Sequence, residues 1–309
     1  MATLQQIMQQ FVIGLSVGAT YALIALGYTM VYGVLRLINF AHGEVYMSGA
    51  VVGYFLSMWM VACKAPAWVA VPVVFLGSAL FCAVMGFLIE FLAYRPLRSR
   101  PRLVVLITAI GVSLLLQNLG LIVFGPTDRL YPRLIEAGTL FSFSVGEGRV
   151  RVSNFDALSL GLSIALMIVL SWVVLKTRTG LALRAVSYRF DTAMLMGINT
   201  DRTISFAFIL GSVLSAVAGV LDGMRYNVYP LMGVMPGLKA FVAAVLGGIG
   251  NIPGALLGSL LIGLVEAFLK GFLPSEYTGY TDAAAFVILI LILLVKPSGL
   301  LGRPMAEKV

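Results

Sequence analysis

Residues 35–49, LRLINFAHGEVYMSG, place groups that could do chemistry between two long apolar runs. They include Asn39, Glu44 and His42, which is the single histidine of the chain. Polar and ionisable side chains at membrane depth are costly, and they often mark a pathway for a solute. On a continuous helix, five polar or small residues would share one face, and Glu44 would point away from it. This stripe consists of Asn39, His42, Tyr46, Gly49 and Gly53.

Two roles are open for Glu44, which would begin the second apolar helix. Its carboxylate would gain from the dipole at a helix N-terminus, or it would take part in transport. Other acids fall close to the ends of apolar runs, where we expect solvation at the membrane interface. They are Glu90, Asp222, Glu266 and Asp282.

The residue patterns that catalysis needs are missing from this sequence. One histidine excludes an H-E-x-x-H zinc site, and neither a G-x-S-x-G elbow nor a G-x-x-x-x-G-K-[ST] phosphate loop is present. Cys63 and Cys82 lie in apolar sequence, which predicts small core residues rather than a disulfide or metal pair. We therefore expect no enzyme, no cofactor and no metal.

The elements that must position these residues are membrane helices. Of the 309 residues, 60% are hydrophobic and only 11% are charged, and the mean hydropathy is +1.01. A run of about 20 apolar residues is enough to cross the hydrocarbon core. Candidate runs lie near 8–34, 44–63, 67–94, 103–124, 155–175, 203–224, 237–273 and 281–295.

One of these runs, 237–273, is too long for a single crossing and is interrupted by GGIGNIPG at 247–254. It predicts a shorter segment, a tight turn and a second helix. The expected fold class is therefore all-α: a polytopic transmembrane helical bundle of about eight spanning helices, plus a broken or short segment near 237–253. We expect one transmembrane domain over residues 1–309.

The basic residues of the short loops predict the orientation. Arginines cluster at 94–102, and basic residues recur at 176–189, so both loops are expected in the cytoplasm. The N-terminus and the loop at 125–154 are then outside, and FSFSVGEGRVRV in that loop predicts a hairpin. The C-terminus lies inside if residues 237–249 cross the bilayer.

Small residues spaced four apart predict close helix packing. Contacts within the chain are the favoured interpretation, and a subunit interface or the wall of a pathway is the alternative. The sets are Gly14 and Gly18; Gly49 and Gly53; Gly211, Ser215 and Gly219; and Gly250, Gly254 and Gly258.

Several stretches together resemble one family of membrane proteins. Residues 18–50, GATYALIALGYTMVYGVLRLINFAHGEVYMSGA, resemble the N-terminal part of branched-chain amino-acid ABC importer permeases, which carry an INxAHG-like signature. RAVSYRFDTAMLMGINTDR at 184–202 is similar to their cytoplasmic A-x-x-x-G-I-N segment, although SYRFD departs from the acidic or small residues usual there. LGGIGNIPGALLGSLLIGLVE at 246–266 and KPSGLLG at 296–302 resemble their C-terminal part. The resemblance covers essentially the whole chain.

The resemblance implies a permease subunit in a bacterial cytoplasmic (inner) membrane, surrounded by lipid. Its partners would be a second permease subunit, two ATP-binding subunits that hydrolyse ATP, and a periplasmic or extracellular solute-binding protein, with no nucleic acid. Branched-chain amino acids are the expected solutes, and urea or short amides are the alternative within the family. An ion-driven secondary transporter using Glu44 or Glu266, and a membrane scaffold without transport, are the alternatives from other classes.

The stripe would then line the translocation path, since small and polar groups facing the interior suit an amphoteric solute and broken helices are common near such sites. The competing interpretation is a capped cytoplasmic turn, in which Asn39 and His42 satisfy backbone groups. Within the A-x-x-x-G-I-N segment, a short cytoplasmic helix over 184–199 would contact the ATP-binding subunit or lie on anionic lipid. The coupling residues are Arg184, Ala193, Met196, Gly197, Ile198 and Asn199, and the alternative is the turn of Gly247, Gly248, Gly250, Asn251 and Pro253.

Overall fold

The structure, a computed structural model, describes residues 4–98, 100–135, 138–145 and 148–302. Within them, eight helical stretches are long and apolar enough to cross a membrane, which confirms the predicted polytopic bundle. The helices are α1 Leu4–Leu35, α2 His42–Ala62, α3 Ala67–Leu88, α4 Arg102–Phe124, α5 Asn154–Lys176, α6 Arg178–Tyr188, α7 Phe190–Leu195, α8 Thr200–Arg225, α9 Val234–Gly247, α10 Ile252–Phe272 and α11 Thr281–Val295. A π-helical turn, Ile89–Tyr94, and a 3₁₀ turn, Arg95–Leu97, extend α3, and a 3₁₀ turn, Ser275–Tyr280, precedes α11.

The predicted break in the seventh run separates α9 from α10. Gly248 and Gly250 have φ angles of +102° and +91°, a region that glycine adopts without steric cost. Asn251 then caps α10 by accepting a hydrogen bond from the backbone N–H of Gly254 at 3.3 Å. With 14 residues, α9 is about 21 Å long, which is short for a hydrocarbon core of about 30 Å.

Helices α1 and α8 form the centre of the bundle. The most apolar window is 72% buried in α1 and 78% buried in α8, but only 11% buried in the α11 span. The outer faces of α4, α5 and α11 carry exposed leucine, isoleucine and valine side chains, as a surface in contact with lipid tails requires.

The small residues spaced four apart pack the helices of this chain against each other. A Cβ atom at Gly18 would lie 2.8 Å from the Cα atom of Leu260, and one at Gly49 would lie 2.6 Å from that of Ala216. Real side chains do not approach so closely, so glycine is what allows α1 to contact α10 and α2 to contact α8. The favoured interpretation, packing within the chain, is confirmed.

The loop between α4 and α5 contains the predicted hairpin. Strands β2 (Thr139–Val145) and β3 (Gly148–Ser153) pair antiparallel, and residues 146–147 of the turn lie outside the described residues. The side chains of Gln5 and Gln9 donate hydrogen bonds of 3.0 Å to β3 carbonyls, which fixes the hairpin to the start of α1. A second short pair, β1 (Arg129–Leu130) with β4 (Asn227–Val228), joins the same loop to the end of α8.

The expectation of one helix over 184–199 is wrong. The chain is extended at Arg189, with φ −148° and ψ 108°, so α6 ends at Tyr188 and the six-residue α7 follows. A left-handed turn at Gly197, with φ +81°, ends this segment, and the side chain of Asn199 caps α8. Two helices therefore form where the sequence analysis predicted one.

Candidate functional site

The start of α2 differs from the continuous helix expected over 39–53. Residues 36–41 are not helical, Arg36 has a φ angle of +54°, and α2 begins at His42. Asn39 lies before the helix, where its side-chain oxygen accepts hydrogen bonds from the backbone N–H of Ala41 at 3.1 Å and the Tyr94 hydroxyl at 3.2 Å. Asn39 therefore closes a turn and does not lie on a helical stripe. Its side chain takes the backbone N–H of Ala41 as a partner, which favours a turn over a helix.

This turn lies within the bundle and not at its end. The hydroxyl of Ser215, beyond the midpoint of α8, donates a 3.3 Å hydrogen bond to the carbonyl of His42. The Nε2 atom of His42 lies 3.2 Å from the carbonyl oxygen of Ile24 in α1, and its ring packs against that of Tyr28 at 4.6 Å. A helix N-terminus is thus held inside the protein, and its first N–H groups, those of His42 and Glu44, are paired with the carbonyls of Asn39 and Ala41.

The remaining residues of the predicted stripe face α8. Tyr46 donates a 2.7 Å hydrogen bond to the carboxylate of Asp222, and Gly49 leaves room for Ala216. A Cβ atom at Gly53 would lie 2.9 Å from the side chain of Val220. In this conformation the stripe is closed by α8, and its role in a translocation path stays a prediction that requires α2 and α8 to separate.

Glu44 points away from the stripe, as expected, and towards α4. One carboxylate oxygen, Oε1, accepts hydrogen bonds from Gln117 Nε2 at 2.8 Å and from Ser113 Oγ at 3.3 Å. The other oxygen, Oε2, has no hydrogen-bond partner in the part of the chain that the structure describes. Glu44 is only 2% exposed, so this unpartnered oxygen is a feature that requires an explanation.

A cavity of about 210 Å³ lies beside Glu44. It is formed between the start of α2, the middle of α4 and the start of α9. Its apolar walls are Phe40, Ile110, Leu114, Val234 and Leu238. The two polar residues from α4, Ser113 and Gln117, were not singled out from the sequence. Their spacing of four within an apolar helix is the signal that could have identified them, since residues i and i+4 share a helix face.

The expectation that the other acids are solvated at the interface is wrong for Glu90. Its side chain is fully buried at the end of α3, where it forms ion pairs with Arg95 at 3.3 Å and with Arg98. The hydroxyl of Ser205 in α8 donates a further hydrogen bond of 2.6 Å to it, and Arg98 continues to Asp201 at 2.6 Å. Such partners offset the desolvation cost of burying a carboxylate.

A second network surrounds Glu266, which is also buried and not interfacial. Lys239 lies 2.9 Å from Glu266 and 2.6 Å from Asp282, and Lys270 lies 2.6 Å from Glu266. The hydroxyl of Tyr21 donates to Glu266 at 2.8 Å. Asp222 accepts a hydrogen bond from Tyr46 and Asp282 pairs with Lys239, and both keep the partial exposure that interfacial solvation predicts.

The predicted coupling segment is divided between core and surface. Ala193 is buried and Ile198 is half-buried, so neither is free to fill a groove on a partner. Leu195 and Met196 are 87% and 78% exposed, and Tyr188 at the end of α6 is also exposed. We call Tyr188, Leu195 and Met196 the α7 patch.

The three other predicted coupling residues have structural roles. Gly197 makes the left-handed turn, Asn199 caps α8, and Arg184 donates a 3.4 Å hydrogen bond to the carbonyl of Leu175. The hairpin precedes the 23-residue α5, which is about 34 Å long, and α6 and α7 follow it in the chain.

The alternative coupling turn is covered in part by the segment after α11. The backbone N–H groups of Leu300 and Leu301 donate to the carbonyls of Leu246 and Gly247 at 2.7 and 3.0 Å. The Asn251 side chain donates to the carbonyl of Leu301 at 2.8 Å, and Gly248 packs on Gly302. Gly250 and Pro253 stay exposed, so only one side of this turn is open to a partner.

Eight membrane-length helical stretches define a multi-pass membrane protein. The chain belongs to the family described as "Branched-chain amino acid transport system / permease component", which matches residues 10–295. This confirms the family expected from the sequence.

Two relatives cover nearly the whole chain. A high-affinity branched-chain amino acid transport system permease protein, LivH, from Salmonella typhimurium is 43% identical over 98% of this chain and 97% of that protein. BraD, with the same description, from Pseudomonas aeruginosa is 43% identical over 98% of each. The solved structure of PsaBC from Streptococcus pneumoniae covers 95% of this chain with a TM-score of 0.44 and 14% identity, which is too distant to support an argument.

Proposed function

We propose that this chain is a permease subunit of an ATP-binding-cassette importer that carries branched-chain amino acids across a bacterial cytoplasmic membrane. The observation that carries the proposal is the 43% identity, over 98% of the chain, to proteins named as high-affinity branched-chain amino acid transport permeases. The complex would also contain a second permease subunit, two ATP-binding subunits and an external solute-binding protein.

ATP hydrolysis belongs to the separate subunits in this proposal, because the sequence has no G-x-x-x-x-G-K-[ST] loop. The α7 patch is the proposed contact for one of them. It is apolar and exposed, it adjoins the basic α6, and the turn at Gly197 connects it directly to the central α8. A displacement of α7 would therefore move α8, the helix against which α2 packs.

The proposed translocation path passes the N-terminal turn of α2. On one side of this turn lies the cavity beside Glu44, and on the other lies the predicted stripe against α8. A substrate with an aliphatic side chain and two charged groups needs apolar walls and few polar contacts, and the cavity offers both. An external binding protein would supply most of the selectivity, so the path itself can bind weakly.

The test is uptake by the complete complex in proteoliposomes that contain ATP inside and the solute-binding protein outside. We expect leucine, isoleucine and valine to enter only when ATP is hydrolysed, and collapse of ion gradients to leave the rate unchanged. Uptake that follows a sodium or proton gradient without ATP would instead identify a secondary transporter. Competition by urea or acetamide, and not by valine, would identify the alternative solute.

A further inference from the structure

We propose that Glu44 is a binding residue for the ammonium group of the passing amino acid, whose aliphatic side chain lies against the apolar walls of the adjacent cavity. This inference rests on the proposed function and adds to it a specific side chain and a specific substrate group.

The first argument is the geometry of the carboxylate. Gln117 and Ser113 hold Oε1 from α4, which fixes the orientation of the side chain. Oε2 is left without a partner among the described residues, although Glu44 is almost completely buried. A carboxylate oriented by two donors and left with one free oxygen is prepared to accept a charge-assisted hydrogen bond.

The second argument is charge. No lysine or arginine belongs to the described residues that line the cavity. A buried carboxylate without a counter-ion is costly, and the two other glutamates that are buried among the described residues, Glu90 and Glu266, each lie beside two basic side chains. A cationic guest would give Glu44 the compensation that its own chain does not provide.

The third argument is the shape of the surroundings. Phe40, Ile110, Leu114 and Val234 present hydrocarbon next to the carboxylate, which suits a branched aliphatic chain. The cavity floor is formed where Gly43 meets Gly233 and Gly237, and a Cβ atom at Gly237 would lie 3.0 Å from the Cα atom of Gly43. A metal cation would require several oxygen ligands, whereas one free carboxylate oxygen matches an alkylammonium.

The first experiment measures leucine uptake by the reconstituted complex with E44Q. The amide keeps the size of the side chain and an oxygen for Gln117, but it removes the negative charge beside the cavity. We expect uptake to fall about tenfold or more, the order expected when a charge-assisted hydrogen bond is lost. The matched control is E276Q, which neutralises an exposed acid before α11 and should transport at the parental rate.

The second experiment tests the chemistry directly and does not depend on the solute-binding protein. V234C is introduced with C63S, because Cys63 is exposed and Cys82 is buried. Millimolar leucine and isopentylamine should slow labelling of V234C by a thiol reagent several-fold, whereas 4-methylpentanoate, which has the alkyl chain but no ammonium, should not. Adding E44Q should abolish the protection by leucine.

The outcomes distinguish failure of the proposed function from failure of the proposed role of Glu44. A parental complex that imports no branched-chain amino acid overturns the proposed function. If the parental complex imports leucine and the E44Q complex assembles and imports it at the same rate, the role of Glu44 is overturned and the proposed function stands. Equal protection of V234C by leucine and 4-methylpentanoate would also overturn it, because the ammonium group would then make no contribution.

Discussion

The hydroxyl of Tyr46 lies 2.7 Å from the carboxylate of Asp222 and joins the N-terminal half of α2 to the C-terminal end of α8. Both residues lie in predicted membrane helices, and they are 176 positions apart in the sequence. Among the described residues, no other side-chain hydrogen bond reaches the Asp222 carboxylate, so this contact is its principal hydrogen-bond compensation.

We expect Y46F to destabilise the protein because it leaves the half-buried carboxylate of Asp222 without its donor. Loss of one partner of a buried polar pair typically costs about 1–3 kcal/mol. The measurement is thermal unfolding of the purified complex in detergent. The double variant Y46F/D222N should recover part of the loss, and a Y46F protein as stable as the parent would contradict the assigned contact.

G49L tests whether the stripe of α2 can accommodate a larger side chain. Because a Cβ atom there would meet the Cα atom of Ala216 at 2.6 Å, we expect α2 and α8 to be forced apart at a cost of about 1–3 kcal/mol. Assembly is followed by size-exclusion chromatography and transport by leucine uptake. The control is G161L, since a Cβ atom at Gly161 meets no neighbouring atom within 4 Å. If G49L assembles and transports at the parental rate, this stripe is not the path.

The α7 patch predicts a cross-link to an ATP-binding subunit. In a C63S background, we expect M196C to cross-link because residue 196 is highly exposed and close to α8. I249C lies in the half-covered alternative turn and is expected to react weakly. Cross-linking of I249C alone would move the contact to the turn after α9.

The orientation can be tested with the exposed native thiol. Cys63 follows α2, and the arginine distribution places it outside, so an impermeant thiol reagent should label it in intact cells. In C63S, R100C and R178C should label only after the membrane is permeabilised. R98C is unsuitable, because Arg98 is paired with Glu90 and Asp201 and its loss would disturb α3 and α8. Labelling of R178C from outside would reverse the topology.

The sequence alone determined the helical spans, the turn between α9 and α10, and the hairpin between α4 and α5. These features depend on properties that neighbouring residues carry by themselves. A membrane helix needs a continuous apolar run, a left-handed turn needs glycine, and a hairpin needs alternation around a turn. The start of α2 was predicted less well, because the Asn39 side chain bonds to Ala41 and Tyr94, and only one of these is a sequence neighbour.

Only the tertiary structure decided which polar residues are buried together. Glu90 was expected at an interface because it lies near the end of a run, yet Ser205, 115 residues away, completes its network. Glu44 and Gln117 likewise form a hydrogen bond although 73 positions separate them in the sequence. The cavity beside them is space that the side chains of α2, α4 and α9 leave unfilled. Such pairings follow from how helices pack, and periodicity within one helix specifies which residues share a face but not which helix that face will meet.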